Sequence, residues 1–252
     1  MLEDAGGQGH RYDEGIARLM SEGKTAEETF FAVAMEDLKA AASLFRPVFD
    51  ATDGIDGWVS LEVSPLLAND ATQTIQAAAQ LHEAANRPNL FIKIPGTAAS
   101  AQAIEESIFN GVHVNVTLLF SREHYLSAAE AYLRGIERRI EAGLDPNITS
   151  VASLFVSRWD VGVKQEVVPA LHNRLGIAIA MRTYKAYRDL LAPPAGASWL
   201  TQASRRSGCC GPALAPRTQL RPTRCMCKRW QRPTPSPHSL KRPFRPSPTT
   251  AM

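Results

Sequence analysis

Hydrophobic positions first recur at helical spacing and then gather into short runs separated by helical stretches. Over residues 21–50, Phe30, Phe31, Val33, Ala34, Leu38, Ala41 and Phe45 return every three or four positions, and Thr25 with Glu28 forms a candidate capping box. Pro47 is expected to close this helix. Residues 58–63 predict a strand stopped by Pro65, and Asn69 or Asp70 is placed to cap a helix running to about Ala85. The alternation then repeats. Strands are expected over 89–94, 112–119 and 148–156, each followed by a helix, over 99–109, from Ser121 to Gly143, and between Trp159 and Leu171. A fifth strand is expected at Ile177-Ala178-Ile179-Ala180, with a helix over 184–191.

Strands that alternate with helices pair in parallel, because a parallel crossover needs the long return that a helix supplies. The succession lacks a Gly-rich phosphate loop. The expected fold is therefore α/β, of the (β/α)8 TIM-barrel type but incomplete, with about five of eight β/α units. Such a barrel carries its chemistry at the carboxyl ends of the strands.

Composition changes this picture at one place. Of 252 residues, 28 are Lys or Arg and 25 are Asp or Glu, giving a net charge of +3. Residues 192–252 hold 11 of the basic residues, no acidic residue, 11 of the 17 prolines and all four cysteines. Residues 1–191 are left with 17 basic and 25 acidic residues, a net −8. So abrupt a change predicts a boundary, with a β/α segment over 1–191 and a disordered, basic, Pro/Arg-rich low-complexity tail over 192–252. No apolar run approaches the ~20 residues that span a bilayer, and no signal peptide opens the chain, so a cytoplasmic protein without a membrane partner is expected.

Chemistry-bearing residues stand near the strand ends. Lys93 lies within Phe91-Ile92-Lys93-Ile94, two residues before Pro95. An amine among apolar walls is favoured as the neutral nucleophile that a Schiff base requires, whereas a lysine snorkelling into solvent would serve no such end. Glu62 is a lone carboxylate in an apolar strand, either a proton handler opposite Lys93 or one half of a surface ion pair. Asn115 and Thr117 alternate with Val114, Val116 and Leu118 and so share a strand face. Ser153, Phe155 and Arg158 follow on the next unit, where Arg158 fits either a phosphate or a structural carboxylate. The histidines at 10, 82, 113, 124, 172 and 238 have no metal-ligand spacing, and Cys209-Cys210 with Cys225-Met226-Cys227 lack a zinc-ribbon pattern. Neither a metal nor thiol chemistry is expected.

Four segments together resemble the transaldolase family, and most closely its bacterial long-chain branch. They are Leu61-Glu62-Val63-Ser64-Pro65, Asn89-Leu90-Phe91-Ile92-Lys93-Ile94-Pro95-Gly96-Thr97, Asn115-Val116-Thr117-Leu118-Leu119-Phe120 and Ser150-Val151-Ala152-Ser153-Leu154-Phe155-Val156-Ser157-Arg158. The resemblance spans roughly residues 11–191. It implies a transferase of the pentose phosphate pathway with no cofactor. That enzyme moves a dihydroxyacetone unit from sedoheptulose 7-phosphate to glyceraldehyde 3-phosphate, giving erythrose 4-phosphate and fructose 6-phosphate. It implies further that Lys93 forms the Schiff base and that Glu62 and Thr117 position the catalytic water. Asn115 and Ser153 would hold the donor's hydroxyls, Arg158 would bind phosphate, and Phe155 would line the site.

Two departures qualify the resemblance. The family's first strand carries an acid/base aspartate and its second a Thr-Ser-Asn-Pro-Thr motif. Neither motif occurs here, and Asp4 sits in what reads as a loop. The family's last strand reads Leu-Leu-Trp-Ala-Ser-Thr-Gly-Thr-Lys. Codons can be chosen for residues 208–217 that give that sequence one frame over, so an out-of-frame tail is expected, with the shift near residues 192–198. The alternative to an active transferase is a catalytically inactive truncated or frameshifted fragment, and simple aldol cleavage without transfer is a third possibility. A nucleic-acid-binding role for the basic tail finds no motif to support it, so no specific nucleic-acid partner is expected.

Overall fold

The computed structural model describes residues 9–191 together with Pro216–Arg217. Two helices come first among the described residues, α1 over Gly9–Ser21 and α2 over Ala26–Ala51. The capping box forms as expected. The Glu28 amide donates to Thr25 Oγ1 at 3.2 Å and the Thr25 amide donates to Glu28 Oε2 at 2.8 Å. Helix α2 buries Met35, Leu38 and Ala42 on one stripe. It runs through Pro47 rather than ending there. Its last turns are tied by an Arg46–Asp50 ion pair at 2.7 Å and by Thr52 Oγ1, which donates to the Val48 carbonyl at 2.8 Å. Helix α1 was not anticipated from the sequence pattern, although its Tyr12 hydroxyl donates to Asp37 of α2 at 2.7 Å.

Four β/α steps follow. Strand β1 (Val59–Glu62) leads through a 3₁₀ turn at Pro65–Leu67 to α3 (Ala71–Ala85), and β2 (Leu90–Pro95) leads to α4 (Ser100–Phe109). Strand β3 (Val114–Leu119) leads to α5 (Arg122–Glu141), and β4 (Ser150–Leu154) leads to the short α6 (Ser157–Gly162). Asp70 caps α3 by accepting from the Gln73 amide at 2.9 Å, and Ser121 caps α5 by accepting from the His124 amide at 3.1 Å. A 3₁₀ turn at Pro169–Leu171 precedes α7 (Leu175–Leu191). The helix expected between Trp159 and Leu171 therefore stops at Gly162, and Pro169, which lacks an amide hydrogen, starts a separate turn.

Residues 177–180, expected as a fifth strand, lie inside α7. A short apolar run does not separate strand from helix by itself. Here Gly176, Thr183 and Ala186 are buried and Ile179, Ala180, Tyr187 and Leu190 pack on the core, a helical spacing, while Ile177 faces outward. The fifth member of the sheet is instead β5 (Pro216–Arg217), paired through Ala152↔Pro216 and Ser153↔Arg217. All neighbours are parallel, in the order β1-β2-β3-β4-β5. The fold is α/β, consistent with part of a (β/α) barrel wall. Apart from β5, the tail expected after Leu191 lies outside the described residues. No helix among the described residues is long and apolar enough to cross a membrane.

The two sheet faces have different neighbours. Leu90, Ile92, Ile94, Val114, Val116, Leu119, Ala152 and Leu154 point to the helices and join Met35, Leu38, Ile104, Ile108, Tyr125 and Tyr132 in one core. Helices α4 and α5 approach closely, because a Cβ on Gly135 would come within 2.8 Å of the Glu105 carbonyl oxygen and of Ile108 Cβ. On the other face, at the amino ends of the strands, Trp58 stacks on Phe91 at 4.1 Å and meets His113 edge-on at 4.9 Å. Behind them Asn89 is fully buried and donates to the carbonyls of Ala42 and Gly57, each at 2.9 Å, tying α2 to the start of the sheet. The base of this face is thus filled by aromatic rings, and its upper half is left to polar side chains.

Candidate functional site

Strand alternation and parallel register together bring the polar residues to one place. Glu62 ends β1 and lies beside Lys93, Lys93 lies beside Asn115, and Pro95 lies beside Thr117. All point away from the helix-covered face, since the apolar core draws on the intervening positions. Lys93 Nζ contacts Glu62 Oε2 at 2.7 Å. The Lys93 side chain is 28% exposed and that of Glu62 41%. Lys93 is therefore not walled in by apolar groups as its sequence neighbours suggested. Ile92 and Ile94 belong to the opposite face, so their apolarity says nothing of the amine's surroundings.

Asn115 is the next layer, and it is buried. Its Oδ1 accepts from Ser153 Oγ at 2.8 Å, and its Nδ2 donates to Ser60 Oγ at 3.4 Å. Ser60 is on β1, two strands away, a separation of about 9.5 Å in a flat sheet. Contact across that gap means that the sheet curls inward over this face, as a barrel wall does. Ser60 was not singled out from the sequence, although its place two residues before Glu62 puts it on the same face.

Thr117 is almost fully buried on the same side of β3. The alternation breaks just after it. Leu118 has φ +56°, the register shifts between Val116 and Leu119, and Leu119 rather than Leu118 enters the core. A left-handed leucine in a strand is uncommon, and bulges of this kind re-aim side chains at strand ends. After the bulge, the Thr117 carbonyl accepts from the Gly96 amide at 2.7 Å and the Leu119 carbonyl accepts from the Phe155 amide at 2.7 Å. A Cβ on Gly96 would meet the Cδ2 tip of the Leu119 side chain, so Leu119 packs directly over this glycine. These two bonds fix the ends of β2 and β4 against β3.

Phe155 and Arg158 follow β4. The Phe155 ring lies 5.6 Å from that of Phe120, and the exposed Arg158 guanidinium carbon is 5.4 Å from the Phe155 centroid and 5.8 Å from that of Phe120. Two groups result. Glu62, Lys93, Asn115 and Ser153, with Ser60, are linked by register and side-chain contact. Arg158, Phe155 and Phe120 form a second cluster at the end of β4. No hydrogen bond among the described residues joins Arg158 directly to the Lys93 group. Chemically the first group offers an amine beside a carboxylate and an amide–hydroxyl chain suited to polyol oxygens, and the second offers a cation.

A family model described as Transaldolase/Fructose-6-phosphate aldolase matches residues 1–219. Transaldolase 1 of Streptomyces avermitilis is 43% identical over 200 residues, covering 76% of this chain and 53% of that protein. Transaldolase 1 of Streptomyces coelicolor is 42% identical over 200 residues, covering 76% of this chain and 52% of that protein. The transaldolase of Mycolicibacterium paratuberculosis is 40% identical over 198 residues, covering 75% and 53%. The chain thus spans about half the length of the curated relatives it matches.

Proposed function

Because the chain belongs to the transaldolase/fructose-6-phosphate aldolase family, we propose that it carries out a dihydroxyacetone transfer between sugar phosphates through a lysine Schiff base, in a cytoplasmic pentose phosphate pathway. The donor is sedoheptulose 7-phosphate, the acceptor glyceraldehyde 3-phosphate, and the products erythrose 4-phosphate and fructose 6-phosphate. The observation that carries this reading is the 2.7 Å contact between Lys93 Nζ and Glu62 Oε2 at adjoining strand ends.

In this reading Glu62 takes a proton from the ammonium, and the freed Lys93 amine adds to the donor's C2 carbonyl. Loss of water leaves a protonated imine. The imine accepts the electron pair of the C3–C4 bond as it breaks, while the C4 hydroxyl proton passes through a water to the Glu62 carboxylate and the aldehyde product departs. The remaining three-carbon enamine attacks the acceptor's aldehyde carbon, re-forming the protonated imine, and the aldehyde oxygen takes the proton back from Glu62 through the same water. Water then hydrolyses the imine and restores the amine. Thr117, in register with Pro95, is assigned with Glu62 to hold that water. Asn115 and Ser153, already hydrogen-bonded to each other, are assigned to the donor's hydroxyls, and Phe155 to the wall of the site. Arg158 is assigned to a phosphate, whose oxygens match the guanidinium fork. Every one of these side chains falls within residues 1–191.

The test is a turnover assay with fructose 6-phosphate and erythrose 4-phosphate as substrates. Formation of sedoheptulose 7-phosphate and glyceraldehyde 3-phosphate is expected. Free dihydroxyacetone in its place would show aldol cleavage without transfer and contradict the assignment.

A further inference from the structure

Arg158 is exposed and pairs with no carboxylate among the described residues, yet its guanidinium lies within reach of two ring faces. An unpaired surface arginine is free to sample many rotamers. Ring quadrupoles at this distance attract the cation. Unlike a carboxylate partner, they leave its N–H fork open for another anion. The Phe120 backbone is itself held by three elements. It follows the bulge at the end of β3, and its amide donates to His124 Nδ1 of α5 at 3.4 Å. Its carbonyl accepts from the indole Nε1–H of Trp159, the residue after Arg158, at 2.7 Å. Phe120 thus meets the Arg158 guanidinium with its ring and the next residue's indole with its carbonyl.

We propose that Phe120 is a positioning residue which, with Phe155, seats the Arg158 guanidinium for the phosphate of a sugar phosphate, a role that rests on the phosphate assignment of Arg158 made above. Phe120 acts only through Arg158, so it sets affinity for the phosphorylated end of the ligand and leaves the sugar's carbon chemistry alone. The two rings give a cation without a salt partner fixed neighbours at the end of β4.

The experiment is equilibrium binding of fructose 6-phosphate, and of fructose as the phosphate-free probe, to the full chain and its Phe120→Leu, Phe120→Tyr, Arg158→Gln and doubly substituted variants. Arg158→Gln is expected to weaken fructose 6-phosphate binding at least about tenfold. Phe120→Leu should weaken it about two- to fivefold, the fold-change that an exposed cation–π contact supports. Phe120→Tyr, which keeps the ring face, should restore binding. In the Arg158→Gln background Phe120→Leu should add nothing, and fructose should bind all single variants alike. A Phe120→Leu effect that persists without Arg158, that falls equally on fructose, or that is absent would overturn the seat while leaving the phosphate assignment standing. If Arg158→Gln binds fructose 6-phosphate like the parent, or the parent does not bind it, the phosphate assignment itself fails and takes the seat with it.

Discussion

The carboxyl and amino ends of the same four strands make opposite use of one sheet face. Toward the carboxyl ends of β1, β2 and β4, Glu62, Lys93 and Ser153 join Asn115 near the start of β3 in a partly open polar group whose contacts cross from strand to strand. At the amino ends, Trp58, Phe91 and His113 close the face with stacked and edge-on rings, and Asn89 ties α2 to the sheet beneath them. Exposed ion pairs contribute little to stability, about 0–1 kcal/mol, whereas a buried aromatic contributes several. The comparison teaches that stability and chemistry are set by different ends of one register. Substitutions at one end should therefore leave the other's property nearly intact.

The largest expected effect is on chemistry alone. Lys93→Met should abolish transfer to background in the turnover assay while moving the thermal midpoint little, since only a partly exposed ion pair is lost. Glu62→Gln keeps the size and removes the proton acceptor. It should lower kcat by about 10²–10⁴-fold, the usual range for a general acid/base group, again with under about 1 kcal/mol of stability.

At the aromatic end the ranking reverses. Phe91→Ala should cost about 3–5 kcal/mol in denaturant unfolding, because Phe91 is 1% exposed and stacks on Trp58. A borohydride-trappable amine should persist in whatever fraction stays folded. A strong loss of trapping per folded molecule would break the comparison.

His113 gives the amino end a pH signature. Burial, and then the nearby His82, push its pKa down from 6.5 to about 4. Its Nδ1 accepts from the Thr149 amide at 2.9 Å, which holds the ring as a neutral acceptor there. The unfolded chain then binds a proton that the folded chain does not. This stabilisation is whole above about pH 6.5 and declines as pH falls toward 4, by up to roughly 3 kcal/mol. Unfolding free energies measured from pH 7 to pH 4 in the parent and in His113→Asn should show a flatter dependence in the variant.

The smallest effect concerns Leu118. Replacing it with glycine, which adopts positive φ freely, should change stability by about 1 kcal/mol or less. β-branched valine should destabilise more, because its side chain resists that backbone. Equal stabilities for the two would remove the bulge from the explanation of how Thr117 is held.

How much of this was legible in the sequence follows from which signals are local. The capping box at Thr25, the cap expected at Asn69 or Asp70 and found at Asp70, and the period-two alternation through Asn115 and Thr117 are set by neighbouring residues. The bulge was not legible, since Thr117-Leu118-Leu119 carries no residue that favours positive φ. The surroundings of Lys93 were misread because sequence neighbours in a strand face the other way. Residues 177–180 were misread for a related reason, since four apolar or small residues fit either period until the burial of Thr183 and Ala186 is known. Ser60 and Phe120 gained their places from contacts across the sheet and with α6, which only tertiary structure supplies.

The most direct measurement is borohydride reduction of the full chain in the presence of fructose 6-phosphate, followed by peptide mass spectrometry. A reduced dihydroxyacetone or hexose phosphate adduct on Lys93, absent from Lys93→Met and from the sample without sugar, is the predicted result. No adduct on a folded chain, or an adduct spread over other lysines at the same level, would contradict the assignment of Lys93 as the nucleophile.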